Sequence, residues 1–351
     1  MHSFCFMITS AAGLRLLFYV EQDYSFDILR PLQTEARQRG HEVRWLVIEP
    51  ADPRFLATDE HRAADVADAI TYNPDLVFAP GDRVPAFLPG IKVQVFHGVS
   101  EEKRGNVYSE RGLFDLYCTE GPRRSAMLEP LTHQRDYMRV AETGWLKLDT
   151  LFNYPAPDRL GDRPQVLYGS TFTPQLSSAE LLYPEIKRLS RSPEWQWLVT
   201  LHPKMNAETV SRYRALENDN LTFFATNQTT RLQHQADVLI CDNSSFLEEF
   251  LLLEKPVVTC RNRAPGPHLI DIREPAELEP AVRKALQPDD AHRQAIKNYA
   301  ATITPWRDGR SATRVMDAAE QMREEGWVDR KPMNLWRNLK MRRQLHYYKF
   351  W

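Results

Sequence analysis

The chain has 351 residues, more than one hydrophobic core usually serves, so two α/β domains or one large domain are expected. Its formal charge of −2 balances 45 basic against 47 acidic residues, which gives no overall field for a polyanion and speaks against nucleic acid as a partner. No run approaches the ~20 apolar residues of a spanning helix, and the start lacks a basic stretch followed by a long apolar core. The four cysteines, Cys5, Cys118, Cys241 and Cys260, are widely spaced and mostly in apolar runs, which suits buried reduced thiols and a cytoplasmic setting.

In chain order, the apolar run 14–20 predicts a strand, and a helical pattern from Phe26 to Arg39 follows, stopped by Gly40. Val43–Ile48 is the next strand. A helix around His61–Ile70 and strands at Asp75–Ala79, Lys92–Phe96 and Leu116–Thr119 continue the rhythm, so the first half is expected to be a doubly wound, mostly parallel sheet. Phe152–Pro164, with three prolines and a glycine among charged residues, has the composition of a linker. A second series follows: strands at Val166–Tyr168, Trp197–Leu201, Leu221–Ala225, Val238–Cys241 and Pro256–Cys260, with helices at Ala179–Ser190 and Ala207–Leu216. The expected domains are 1–152 and 165–327, with a substrate cleft between them. From Val328 to Trp351 seven Lys and Arg residues face only Asp329, interleaved with aromatics. This tail has two readings: a helix on an anionic bilayer as a peripheral membrane contact, or a last helix packed back on the first domain.

Three strand ends carry candidate chemistry. Phe96-His97-Gly98 ends a strand of the first domain, where open α/β sheets place ligands. There His97 is a candidate general base, and Gly98 would allow a sharp turn and close substrate approach. The alternative is a histidine that merely caps a turn. Leu201-His202-Pro203-Lys204 repeats the pattern in the second domain, and His202 and Lys204 suit a phosphate. The alternative there is a structural loop with a solvated lysine. Asp242-Asn243-Ser244-Ser245 lies between an apolar strand and the helix bearing Glu248 and Glu249. A helix start with two hydroxyls can cradle a nucleotide diphosphate, although Asp242 or Asn243 can equally be an N-cap. One of the two glutamates is expected to face a ribose and the other solvent.

The His97-Gly98 pair, the Gly144–Leu151 segment, His202-Pro203, and Asp242-Asn243-Ser244-Ser245 ahead of Lys255-Pro256 together resemble the CDP-glycerol glycerophosphotransferases of teichoic-acid synthesis, over roughly 90–285. The resemblance implies a GT-B fold, with two Rossmann-like domains facing a cleft, the acceptor on the first and the CDP-alcohol on the second. It implies His97 as base, His202 as pyrophosphate ligand, and Ser244 and Ser245 near the donor phosphates. Gly98, Lys147 and Thr171 would be acceptor or phosphate contacts. The expected partners are the nucleotide-activated donor and a polysaccharide or lipid-linked acceptor, with no cofactor and no metal required. Departures are specific: Leu146 and Lys147 stand where the family has proline and arginine, and Gly169-Ser170-Thr171-Phe172 replaces a proline-threonine and an arginine. These leave a CDP-ribitol, another nucleotide-activated alcohol or a nucleotide sugar open as donor. Further alternatives are a non-hydrolysing UDP-N-acetylglucosamine 2-epimerase, which shares the serine turn, paired glutamates and lysine-proline, and a silent GT-B-like binding protein.

Overall fold

The computed structural model describes residues 13–98, 114–225, 228–243 and 246–349. They divide into two compact units, Leu151–Pro305 and a discontinuous one of Met1–Thr150 with Trp306–Trp351.

The discontinuous unit holds strands β1 (Arg15–Val20), β2 (Glu42–Val47), β3 (Leu76–Ala79), β4 (Ile91–Gln94), β5 (Leu116–Thr119) and β6 (Arg139–Glu142). All pair in parallel in the order β2-β1-β3-β4-β5-β6, so every strand delivers its carboxyl end to one edge. The order reverses direction between β1 and β3, the place where sheets of this kind open a crevice. β3, β4 and β5 are buried along their whole length because helices cover both faces, which is why they read as continuous apolar runs. β6, Arg-Val-Ala-Glu at the sheet margin, is half exposed and too polar to stand out in the sequence. The helices are α1 (Tyr24–Gln38), α2 (Val66–Tyr72), α3 (Pro122–Thr132) and the first part of α4 (Leu146–Phe152).

The unit Leu151–Pro305 repeats the plan with β7 (Gln165–Ser170), β8 (Gln196–Leu201), β9 (Leu221–Phe223), β10 (Val238–Cys241), β11 (Val257–Cys260) and β12 (Ile270–Ile272). Its order is β12-β11-β10-β7-β8-β9, again all parallel, with the reversal between β7 and β10. Helices α5 (Ala179–Leu189), α6 (Ala207–Arg214), α7 (Thr229–Gln235), α8 (Phe246–Leu252), α9 (Leu278–Leu286) and α10 (Asp290–Ile303) flank it. Two clusters, one on each face of the sheet, form its core. Cys118, Cys241 and Cys260 are buried free thiols, while Cys5 lies outside the described residues.

Two boundaries differ from expectation. The proline-rich segment after α4 is fastened to α7: His234 Nε2 donates to Leu151 O at 2.7 Å, Tyr154 stacks on His234, and Arg159 pairs with Asp237 at 2.7 Å. Charged and aromatic residues that look like linker composition are its anchors. The chain also returns to the first unit at Trp306, not after 327. Helix α11 (Ser311–Glu324) presents Ala312, Val315, Met316, Ala319 and Met322 at helical spacing to the first core. Asp149 accepts from Ser311 N and Ala312 N at 2.8 and 2.7 Å, capping the start of α11 from outside it. Glu320 near its end accepts from Arg39 and meets His41, each at 2.6 Å. The final helix α12 (Leu335–Gln344) belongs to this unit too. Among the described residues no helix is long and apolar enough to cross a membrane.

Candidate functional site

At the β7–β10 reversal, the carboxyl ends of the two strands are tied by Asp242, which has no exposed surface. Its carboxylate accepts from Ser170 Oγ at 2.6 Å, Ser178 N at 2.9 Å, Ser178 Oγ at 3.1 Å and Thr171 N at 3.1 Å. Burial pushes its pKa up, against the pull of these donors. The expected phosphate role does not fit: the lone pairs are spent inside the protein, and a second anion here would repel a phosphate. Asp242 instead shapes the 170–178 loop. Asn243 does the same for the next loop, accepting from Arg263 N at 2.9 Å and donating to Arg261 O at 3.3 Å. Thr171 is half-buried, with its N–H given to Asp242. Ser244 and Ser245 lie outside the described residues.

Glu249 is the buried member of the glutamate pair and accepts from Gln233 Nε2 at 3.0 Å, whereas Glu248 is half-buried. Lys255 donates to the carbonyls of Gln233, His234 and Ala236 at 2.7–2.9 Å, so this motif lysine closes the carboxyl end of α7. Gly169 has a packing reason: a Cβ there would stand 3.1 Å from the Phe246 ring at the start of α8.

His202 follows β8 on the same edge. Its Nδ1 accepts the Lys204 backbone N–H at 3.1 Å, so in the neutral ring the proton sits on Nε2, which has no protein partner among the described residues. Burial, and then Lys204, lowers its pKa and keeps it neutral. Its ring lies 4.5 Å from that of Phe172, and the Lys204 ammonium is 5.8 Å from the same ring. A neutral N–H donor beside an exposed ammonium is chemistry suited to a phosphate oxygen.

On the first unit's edge, His97 Nδ1 lies 3.0 Å from Pro80 O. A carbonyl only accepts, so Nδ1 carries the proton and Nε2 of the neutral ring keeps its lone pair. Tyr24 at the start of α1 stacks on the imidazole, with centroids 4.9 Å apart. Phe96 takes a left-handed conformation at φ 45°, and a Cβ on Gly98 would meet no described atom. Holding a buried phenylalanine in this region is strained, and the surroundings hold it there. Arg124 of α3, fully buried, donates to Gly98 O at 2.5 Å, lies 4.1 Å over the Phe96 ring and pairs with Glu120 at 2.5 Å.

Sequence reasoning missed this support. Its signal was positional: Glu21, Asp82 and Glu120 each follow a strand of the same edge. Glu21 accepts from the Tyr19 hydroxyl at 2.8 Å and faces Arg83 at 3.4 Å, and Asp82 accepts from Gln94 at 3.1 Å. Glu120 Oε1 is buried, with no hydrogen-bond partner among the described residues. Lys147 is half-buried in α4, 5.6 Å from the Trp145 ring. In the same motif Gly144, at φ +87°, packs against Ser311, and Asp149 caps α11, so much of that segment serves the return of the chain. Among the described residues no group of three or more His, Cys, Asp or Glu side chains is gathered as metal ligands.

Two doubly wound parallel units, each with polar residues at a strand-order reversal, define the GT-B fold class. Among solved structures the chain is similar to a protein assigned as a UDP-N-acetylglucosamine 2-epimerase from Listeria monocytogenes, with a TM-score of 0.68 and 15% identity over 91% of this chain and 98% of that one. It is similar also to the wall teichoic acid polymerase TagF (TM-score 0.62, 13% identity, 91% of each chain) and to MnaA of S. aureus solved with UDP (0.59, 13%, 92% and 100%). At these identities the likeness is one of fold. No protein-family model and no curated protein matches the chain.

Proposed function

We propose that the chain is a transferase that moves a glycerol phosphate, or a related polyol phosphate, from a CDP-activated donor to an acceptor hydroxyl of a surface polysaccharide or its lipid-linked precursor. The observation that carries this reading is the opposite pairing of the two Nδ1 atoms, that of His97 with the Pro80 carbonyl and that of His202 with the Lys204 N–H. With Nδ1 paired to the Pro80 carbonyl, the basic nitrogen of a neutral His97 is Nε2, whereas the neutral His202 ring carries its proton there. His97 takes the hydroxyl proton as the acceptor oxygen attacks the phosphorus that bears the polyol. The phosphoanhydride bond breaks and CMP leaves, its new charge met by the His202 N–H and the Lys204 ammonium. One of the similar polymerase structures was soaked with CDPG, which fits a cytidine donor.

A second reading, epimerisation of a nucleotide sugar, draws on Asp82, a half-buried carboxylate on the His97 edge of the kind that can take a carbon-bound proton. One experiment separates the readings. Thermal shifts with CDP-glycerol, CDP-ribitol, UDP-N-acetylglucosamine and CMP-sugars are followed by product analysis. Stabilisation by a cytidine diphosphate alcohol and release of CMP in the presence of acceptor are expected. A response to the uridine nucleotide alone, with formation of its C2 epimer, overturns the first reading in favour of the second.

A further inference from the structure

Helix α12 presents a surface that the reaction above does not use. Its inner side is fixed to the first unit: Met341 is buried, Leu345 and Tyr347 join the core, Tyr347 stacks on Phe87 at 5.4 Å, and the Arg342 guanidinium lies 4.3 Å over Phe87. Upstream, the segment is pinned where Lys331 Nζ and Trp327 Nε1 both reach the buried carboxylate of Asp115. With 3.6 residues per turn, Leu335, Leu339 and Trp336 fall on an arc about 100° wide whose centre is opposite Met341. Their exposures follow that geometry, at 61%, 45% and 84% against 6% for Met341. Arg343 falls within the arc and Lys340 beside it, and both are exposed.

Trp336, 84% exposed, forms with Leu335 and Leu339 a contiguous apolar patch on a fastened helix, and the surrounding charge says what fits it. Seven cations and one acid stand between Val328 and Trp351; Lys331 is taken up by Asp115 and Asp329 and Arg330 by Asp136, while Lys340 and Arg343 stand exposed beside and within the arc. A second copy docking by the same arc would bring like charges face to face. A bilayer with anionic headgroups takes both classes, with Trp and Leu entering the interfacial zone and Lys and Arg meeting lipid phosphates. We propose that this outward arc of α12 docks the protein on an anionic lipid surface. The packed-helix and bilayer readings of the tail are thereby two sides of one helix.

The test is co-sedimentation of the intact protein with phosphatidylcholine vesicles, with and without phosphatidylglycerol, at low and high salt. Binding is expected only to the anionic vesicles and is expected to fall as salt rises. Trp336→Ala with Leu339→Ala should weaken it by about ten-fold or more, and Lys340→Gln with Arg343→Gln by about five-fold per cation. These side chains face solvent, so an unchanged Tm in both variants shows that the fold is intact. Met341→Ala serves as contrast, lowering Tm through the inner side. Absence of binding to anionic vesicles, equal binding to neutral ones, or full binding by both outward variants overturns the proposal. So does a loss of dimer by Trp336→Ala in sedimentation velocity without any lipid binding, which would assign the arc to a second copy.

Discussion

Arg124 has no exposed surface, yet its guanidinium donates to the Gly98 carbonyl at 2.5 Å and lies 4.1 Å over the Phe96 ring. One buried cation thus grips the residues on both sides of His97. Its own charge is met by Glu120 at 2.5 Å. Replacing Arg124 by Met leaves that carboxylate buried without its cation and should cost about 3–5 kcal/mol in chemical denaturation. Adding Glu120→Gln should recover part of the loss. A loss below about 1 kcal/mol for the single variant would mean that the pair does not brace the turn.

His97→Ala should leave the thermal shift with nucleotide unchanged while lowering transfer by about a hundred- to ten-thousand-fold, the usual worth of a positioned base. Retention of full transfer would remove His97 from the chemistry.

Asp242 makes the opposite prediction. Asp242→Ala strands the hydroxyls and N–H groups of the 170–178 loop in a dry site and should cost on the order of 3 kcal/mol, whether or not nucleotide is present. Asp242→Asn can turn its carbonyl towards most of those donors and should cost about 1 kcal/mol. If Asp242→Ala binds nucleotide poorly but unfolds like the parent, Asp242 is a ligand and not a brace.

His202 ties stability to pH. Its folded pKa lies below the ordinary histidine value of 6.5, so between the two the unfolded chain binds more protons. The stabilising contribution is complete above about pH 6.5 and is lost as pH falls through the lowered value. Protonation of Nδ1 would also end its acceptance of the Lys204 N–H. Asn at 202 keeps a side-chain acceptor and does not titrate. Tm of His202→Asn should therefore fall less than that of the parent between about pH 7 and pH 5. Parallel curves would show that this ring is not the titrating group.

The strands were legible because fully covered parallel strands write continuous apolar runs. Leu116–Thr119 and Val238–Cys241 match their expected limits to the residue. β6 was invisible because a margin strand half in solvent has no such run. Placing His97 and His202 near strand ends needed only the order of elements: His202 directly follows β8, and His97 lies three residues past β4, which ends at Gln94. The positive φ of Phe96 was not legible, because a phenylalanine takes it only under tertiary constraint. Asp242 misled, since an acid in a polar turn looks solvated until its four donors are brought around it. The partner of α11 was not legible either: its apolar stripe says that it packs, but not on which sheet.

That return of the chain sets the order in which the protein can be completed during synthesis. Residues 1–150 emerge first, but their sheet lacks the side chains of Ala312, Val315, Met316, Ala319 and Met322, and Asp149 waits for a helix start 162 residues ahead of it. The earlier half is the later one to finish. A cut after Thr150 therefore yields one fragment with an uncovered core face and another with a helix that has lost its sheet, and neither corresponds to a natural half of the molecule.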